Sequence, residues 1–360
     1  MTRRELIFLL AAVLTLPRAL RAQQKVMPVI GYLNGTTPEA NAPHLAAFRQ
    51  GLSDTGWVEG QNLKIEYRWA EFHYDRLPGL AAVLQGLSET GWVEGQNLAI
   101  EYRWAEFHYD RLPALAADLV GQKVDVIVAV GGADEAFVAK DATSTIPIVF
   151  STGADPVETG LVASLARPGG NRTGVTNLTQ LLWQKRVELI AELVPQTKVI
   201  GLLVNPNRAL VGRVIDSTQQ AANAKGLQLE VLKAGTEAEI DAAFATALQR
   251  HIGGVVVSDP LFDSLSQQVV ALAARHAVPA IYISRKYVTD GGLISYGAIF
   301  TAANHEVGIY AGKILNGAKP ADLPVQQSTN FELVVNLKTT ETLGLTVPPP
   351  ILARADEVIE

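Results

Sequence analysis

Short, unbroken apolar runs alternate with helical patterns along most of this 360-residue chain. The runs are VIGYL (29–33), VDVIVAVG (124–131), IPIVF (146–150), KVIGLLVN (198–205), LQLEVL (227–232), GGVVVS (253–258) and AIYIS (280–284). Most are apolar nearly throughout rather than at alternate positions, as strands covered on both faces are. Between them, apolar residues recur at helical spacing. Val211, Val214, Ile215, Thr218, Ala221 and Ala222 share one face. So do Ile240, Ala243, Phe244, Ala247 and Leu248, and likewise Leu265, Val269, Leu272 and His276. HLAAFRQGL (44–52) follows the first run with the same spacing. The alternation predicts an α/β fold of doubly wound parallel sheets. The pattern restarts at Lys198 after RPGGNRTGVTNL (167–178), a stretch rich in Gly, Pro and Asn. This places a connection near 174–178 and predicts two lobes. The first takes 28–150 plus about 297–325, and the second 178–290 plus about 331–360.

One region is written twice. Residues 50–84 and 85–119 differ only at Asp54/Glu89, Lys64/Ala99, Gly79/Ala114 and Val83/Asp118. Each copy holds a strand pattern, NLxIEYRW, and then a helix pattern, DRLPxLAAxL. Asp75 and Asp110 are expected as helix N-caps, with Pro78 and Pro113 in the first turn. Two copies do not make a solenoid. The duplicate is expected as an extra βα unit at the outer edge of the first lobe, away from any site. Four of the five Trp lie in the copies. They are read as core rather than as a repeated binding surface.

Composition narrows the function. The formal charge is −6; residues 1–22 carry four Arg and one Glu, so the remainder stands at −9. That excludes a nucleic-acid footprint, which needs clustered Lys and Arg. Cysteine is absent, which excludes thiolate metal sites and Cys nucleophiles. MTRRELIFLLAAVLTLPRALRAQQ has a basic start, an apolar run too short to span a bilayer, and a small-residue end. It reads as a secretory signal over residues 1–22, with an Arg pair resembling a twin-arginine signal. The protein is expected outside the cytoplasm, in the periplasm.

Catalytic patterns are missing. HEVGI (305–309) has Ile309 where a zinc-protease helix needs its second His. GLISYG (292–297) is one residue too long for a nucleophile elbow and reads as a strand. VGGADEA (130–136) has neither a dinucleotide fingerprint nor a phosphate-loop Lys. No metal and no cofactor are expected, and no enzyme activity.

Ligands of open α/β sheets bind beyond the carboxyl ends of the strands. Those ends supply the candidate ligand-binding residues Asn34, Gly132, Ala133, Asp134, Ser151, Thr152, Asp155, Asn205, Ser258, Asp259 and Tyr296. Backbone N–H groups at helix starts suit a ligand carboxylate. Asp155 or Asp259 suits an ammonium, and Tyr296 suits stacking on the ligand body. Turns and N-caps need the same residue types, so each also has a purely local reading.

IPIVFSTGADPVETGLVASLARPGGNRTGVTNL (146–178) and FELVVNLKTTETLGLTVPPPILARADEVIE (331–360) resemble motifs of the ABC-transporter solute-binding proteins often labelled tryptophan/tyrosine transport system substrate-binding proteins. The similarity extends over essentially the whole chain after the signal. It implies a type I periplasmic-binding fold: two Rossmann-like lobes, three hinge crossovers and a ligand in the cleft. It also implies a monomer that delivers a small polar solute, an aromatic amino acid by the family label, to a membrane permease and its ATPase. Two departures stand out. Asp134 puts a negative charge where a ligand carboxylate is expected, and relatives carry the repeated text once. The rival reading is a sensor that uses the same cleft to signal to a membrane receptor.

Overall fold

The computed structural model describes residues 28–34, 38–69, 109–179, 182–259 and 261–360. Two sheets organise it. The first runs β11-β5-β4-β3-β1-β2, from β1 (Val29–Asn34), β2 (Lys64–Trp69), β3 (Val126–Ala129), β4 (Ile148–Thr152), β5 (Arg172–Thr176) and the short β11 (Gln326–Gln327). The second runs β13-β12-β10-β9-β8-β6-β7, from β6 (Val199–Val204), β7 (Gln228–Lys233), β8 (Gly254–Val257), β9 (Ala280–Tyr282), β10 (Ile294–Ala298), β12 (Phe331–Asn336) and β13 (Glu357–Ile359). All pairings are parallel except β10 with β12. The central strands are buried at every position, as their unbroken apolar runs require.

The helices follow the expected alternation. They are α1 (Pro38–Asp54), α2 (Leu112–Gly121), α3 (Ala133–Ala142), α4 (Leu182–Leu193), α5 (Val211–Ala224), α6 (Glu237–Gln249), α7 (Leu261–Ser264), α8 (Ser266–Arg275), α9 (Arg285–Thr289), α10 (Phe300–Leu315), α11 (Leu337–Thr342) and α12 (Pro349–Leu352). The chain passes between the sheets three times: after β5, between β10 and α10, and between β11 and β12. The second passage returns the chain to the first lobe, where α10 packs on α1, β3, β4 and β5 rather than on its own preceding strand, and the third takes it to the second sheet again.

Close approach of α10 to α1 is a glycine effect. A Cβ at Gly308 would collide with the Phe48 carbonyl, and one at Gly51 with the His305 carbonyl. The Trp57 indole donates to the Gly312 carbonyl at 3.0 Å. This packing sets Phe300 and Asn304, at the start of α10, over the first sheet.

The repeat is divided. β2 belongs to the first copy and α2 to the second, and β2 is the edge strand, paired with β1 from Val29–Lys64 to Asn34–Trp69. The rest of the duplicated text, 70–108, lies outside the described residues, and so does the expected extra βα unit. Trp57 is core, as expected. Three local expectations fail. Asp110 is not a cap: it sits in a single 3-10 turn, Tyr109–Arg111, and α2 begins with Arg111 at its N-cap and Pro113 in the first turn, with no side-chain cap bond. Leu248 is 51% exposed, in the last turn of α6. Arg172–Thr176, within the stretch whose composition marks a connection, is strand β5, because parallel pairing to β4 outweighs local turn preference.

Candidate functional site

Between the sheets lies a cavity of about 180 Å³. Its first-lobe wall comes from the ends of β1, β3 and β4 and the start of α10; its second-lobe wall comes from α4, the ends of β6, β8 and β9, and the start of α5. Parallel strands all deliver their carboxyl ends to the same side, which is why one cleft collects loops so distant in sequence.

Nine of the sequence-predicted residues line it: Asn34, Gly132, Ala133, Asp134, Ser151, Thr152, Asn205, Ser258 and Asp259. Some are held by their own turns. The Ser258 hydroxyl donates to the Leu203 carbonyl, and Thr152 Oγ1 accepts from the Ala154 N–H. Asn205 Oδ1 accepts from the Asn207 N–H, leaving Nδ2 without a partner. Two predicted residues are not brought to the cavity. Asp155 Oδ1 accepts from the Val157 and Glu158 N–H groups and closes a turn. The Tyr296 ring lies 6.4 Å from Phe331. Tyr296 acts through its backbone, whose carbonyl accepts from Arg186 Nε at 2.8 Å.

Sequence reading missed the two guanidinium groups that dominate the site. Arg186 lies on α4, on one face with Trp183, Val187 and Ile190, and is fully buried. A lone cation on an otherwise apolar face was the available signal. Its guanidinium sits 4.4 Å over the Trp183 ring, and Nη1 has no hydrogen-bond partner. Burial lowers its pKa to about 9. Trp183 Nε1 and Asn304 Oδ1 are also buried without partners, while Asn304 Nδ2 donates to the Phe300 carbonyl. Asp263, on the same lining, is pushed up to about 7 by burial.

Arg208 follows β6 and reaches across the cleft. Its Nε lies 3.1 Å from Asp134 Oδ2 in the first lobe and 3.6 Å from Asp259 Oδ2 in its own. Its Nη1 is 3.8 Å from the fully buried Glu135, and its guanidinium stacks 4.6 Å over the Tyr109 ring. Burial opposes its charge, but Tyr109, Asp259, Glu135 and Asp134 outweigh burial and hold its pKa well above the ordinary value. The charge of Asp134, which counts against a ligand carboxylate in the sequence, is therefore matched inside the protein. Glu135 is pushed up to about 7 by burial. His44 is brought down to about 4 by burial and meets Phe300 edge-on at 5.9 Å. Leu210, Val211, Val214, Ile283 and Phe300 supply apolar lining.

The comparisons agree with this architecture. The model of the ABC transporter substrate binding protein family matches residues 73–359. A tyrosine-binding protein from Clostridioides difficile is 28% identical over 226 residues, 63% of this chain, and the match spans 65% of that relative's length. A conserved domain protein from Vibrio cholerae superposes with a TM-score of 0.70 at 27% identity, covering 92% of this chain and 99% of that one. An ABC domain from a pneumococcal Streptococcus, solved in complex with L-Trp, gives 0.69 at 24% identity with the same coverage and shares the fold. The match along most of the sequence and the shared two-sheet fold establish that this chain belongs to the ABC transporter substrate binding protein family.

Proposed function

We propose that the protein is the extracytoplasmic solute-binding component of an ABC importer, and that it captures an α-amino acid with an aromatic body in the interlobe cavity. The observation that carries this reading is Arg186, a buried cation with an unpartnered Nη1 on the cavity wall. A buried charge with no direct ion pair is costly, and a ligand carboxylate supplies one. Trp183 Nε1 and Asn205 Nδ2 add neutral donors for the same carboxylate. Asp263 and Asn304 Oδ1 supply acceptors for the ammonium. An ammonium beside Asp263 lowers its pKa, which burial has raised. Trp183, Phe300 and the aliphatic lining suit an aromatic ring.

Asn34, Gly132, Ala133, Ser151, Thr152 and Ser258 shape the remaining wall, while Asp134 and Asp259 serve Arg208. The tyrosine-binding relative and the L-Trp complex support the ligand class. The signal-like residues 1–22 support export to the periplasm, and the fold supports delivery to a permease driven by an ATPase. No covalent step is assigned to any residue.

Titration calorimetry tests the reading with four probes: L-tyrosine, L-tryptophan, tyramine and 3-(4-hydroxyphenyl)propanoate. The amino acids are expected to bind, and both analogues to bind at least about fivefold more weakly, since each leaves a buried partner unmatched, at a cost of about 1–3 kcal/mol. Absence of binding by both amino acids, or tyramine binding as tightly as L-tyrosine, sinks it.

A further inference from the structure

We infer that Arg208 is an interlobe latch: it holds the cleft shut through first-lobe carboxylates and sets how much of the ligand-free protein is closed. The inference rests on the cavity being an interlobe solute site, but not on which solute fills it.

Three observations on different elements converge on it. First, the contacts cross the cleft. Besides the ion pair to Asp134, Arg208 Nη2 donates to the Gly131 carbonyl at 3.4 Å, and the neighbouring Ala209 N–H donates to Asp134 Oδ1 at 2.9 Å. Second, the first lobe has a seat cut for the guanidinium. Gly131 and Gly132 have φ of 122° and 149°, a region that L side chains rarely enter. A Cβ at Gly132 would collide with Arg208 Nη2. Third, the charges require the cation. Glu135 is fully buried, neither of its carboxylate oxygens has a hydrogen-bond partner, and Asp134 and Asp259 approach it from the two lobes. With Arg208 in place, closure brings three carboxylates around one cation. Without it, closure presses desolvated like charges together, which disfavours the closed state. The outer pair of Arg213 and Glu158 also crosses the cleft, but it is exposed and contributes little.

The latch is separate from the proposed ligand contacts. Among the described residues Arg186 has no carboxylate within ion-pair distance, whereas Arg208 already has three. Closure is therefore expected to have an equilibrium of its own, to which ligand adds.

Because the chain has no cysteine, spin labels can be placed cleanly. Ala117→Cys on α2 and Gln220→Cys on α5 put one label on an exposed position of each lobe. Pulsed dipolar spectroscopy of the full, ligand-free protein then reads the interlobe distance. The labelled protein is expected to show a closed population. Arg208→Gln is expected to remove most of it, shifting the mean distance by more than about 2 Å. Asp134→Asn, which leaves the second lobe untouched, is expected to reduce it by a smaller amount. Adding Asp134→Asn and Asp259→Asn to Arg208→Gln is expected to recover part of the closed population, since the repulsion between the lobes is gone although the latch is absent. The inference is overturned by a ligand-free protein with no closed population. It is equally overturned by an Arg208→Gln distribution that matches the parent, or by a triple variant as open as the single one. Circular dichroism checks that each variant folds. Calorimetry with L-tyrosine on the parent keeps a failure of the ligand reading distinct, because the distance measurement contains no ligand.

Discussion

Arg186 and Arg208 both enter the cleft from the second lobe, and both are buried. Arg208 meets three carboxylates and an aromatic face, so its charge is held above its ordinary range. Arg186 meets a carbonyl and an indole face and has no ion pair among the described residues; Asp263 offsets only part of the cost of burial, which pulls its pKa to about 9. The difference lies in the partners, not the residue. A satisfied cation joins two parts of a protein; an unsatisfied one waits for something from outside.

Substitution of each arginine separates the two roles. Arg186→Ala is expected to give the largest effect. Truncating one side of a buried charge pair costs about 2–5 kcal/mol, so L-tyrosine affinity should drop roughly 30-fold or more by calorimetry. The ligand-free interlobe distance should stay unchanged. Affinity within threefold of the parent removes Arg186 from the site. Arg208→Gln is expected to act more weakly, through the closed population: a coupling of about 1–2 kcal/mol lowers affinity roughly 5- to 30-fold. Here the ligand-free distance should shift as well, and if affinity falls without that shift, Arg208 is a ligand contact after all.

Proton linkage sharpens the comparison further. Glu135 and Asp263, raised by burial to about 7, bind more protons in the folded protein than in the unfolded chain. Their contribution to stability is complete below about pH 4 and is lost as pH rises through about 7. His44 runs the other way: its pKa is lowered to about 4, so its contribution is present above 6.5 and lost as pH falls through about 4. Between pH 6.5 and 8 the carboxylates act alone, and the melting temperature should fall by roughly 2–4 °C for each kcal/mol lost. Glu135→Gln should flatten that fall in a thermal scan; an unchanged slope means that Glu135 does not carry it.

The smallest expected effect is at the repeat. Deleting 50–84 joins a complete strand and helix pattern from the second copy directly to the first helix, and keeps Tyr109 under Arg208. Binding and melting temperature should both match the parent. Loss of L-tyrosine binding in the deletant would falsify the reading of the duplicate as redundant.

Much of the scaffold is legible because burial on both faces writes itself as unbroken apolar runs. β3, β4, β6 and β8 all coincide with such runs. β5 is not legible: RTGVT has a strand's partner but a turn's composition, and pairing partners are invisible along the chain. The same limit governs the site. Strand ends point to a cleft, so residues such as Asn34, Thr152 and Asn205 are found from position alone. Asp155 and Tyr296 have the right chemistry and the wrong direction.

The sequence by itself determined the α/β alternation, the two-sheet division and the side of the sheets on which the cavity lies, because these follow from local periodicity and chain direction. Only the tertiary structure decided which charges meet. Arg208 and Asp134 are 74 positions apart, and Arg186 reaches the Tyr296 carbonyl across 110. Electrostatic partnership depends on distance in space and on exclusion of water, and neither is written in the spacing of residues along a chain.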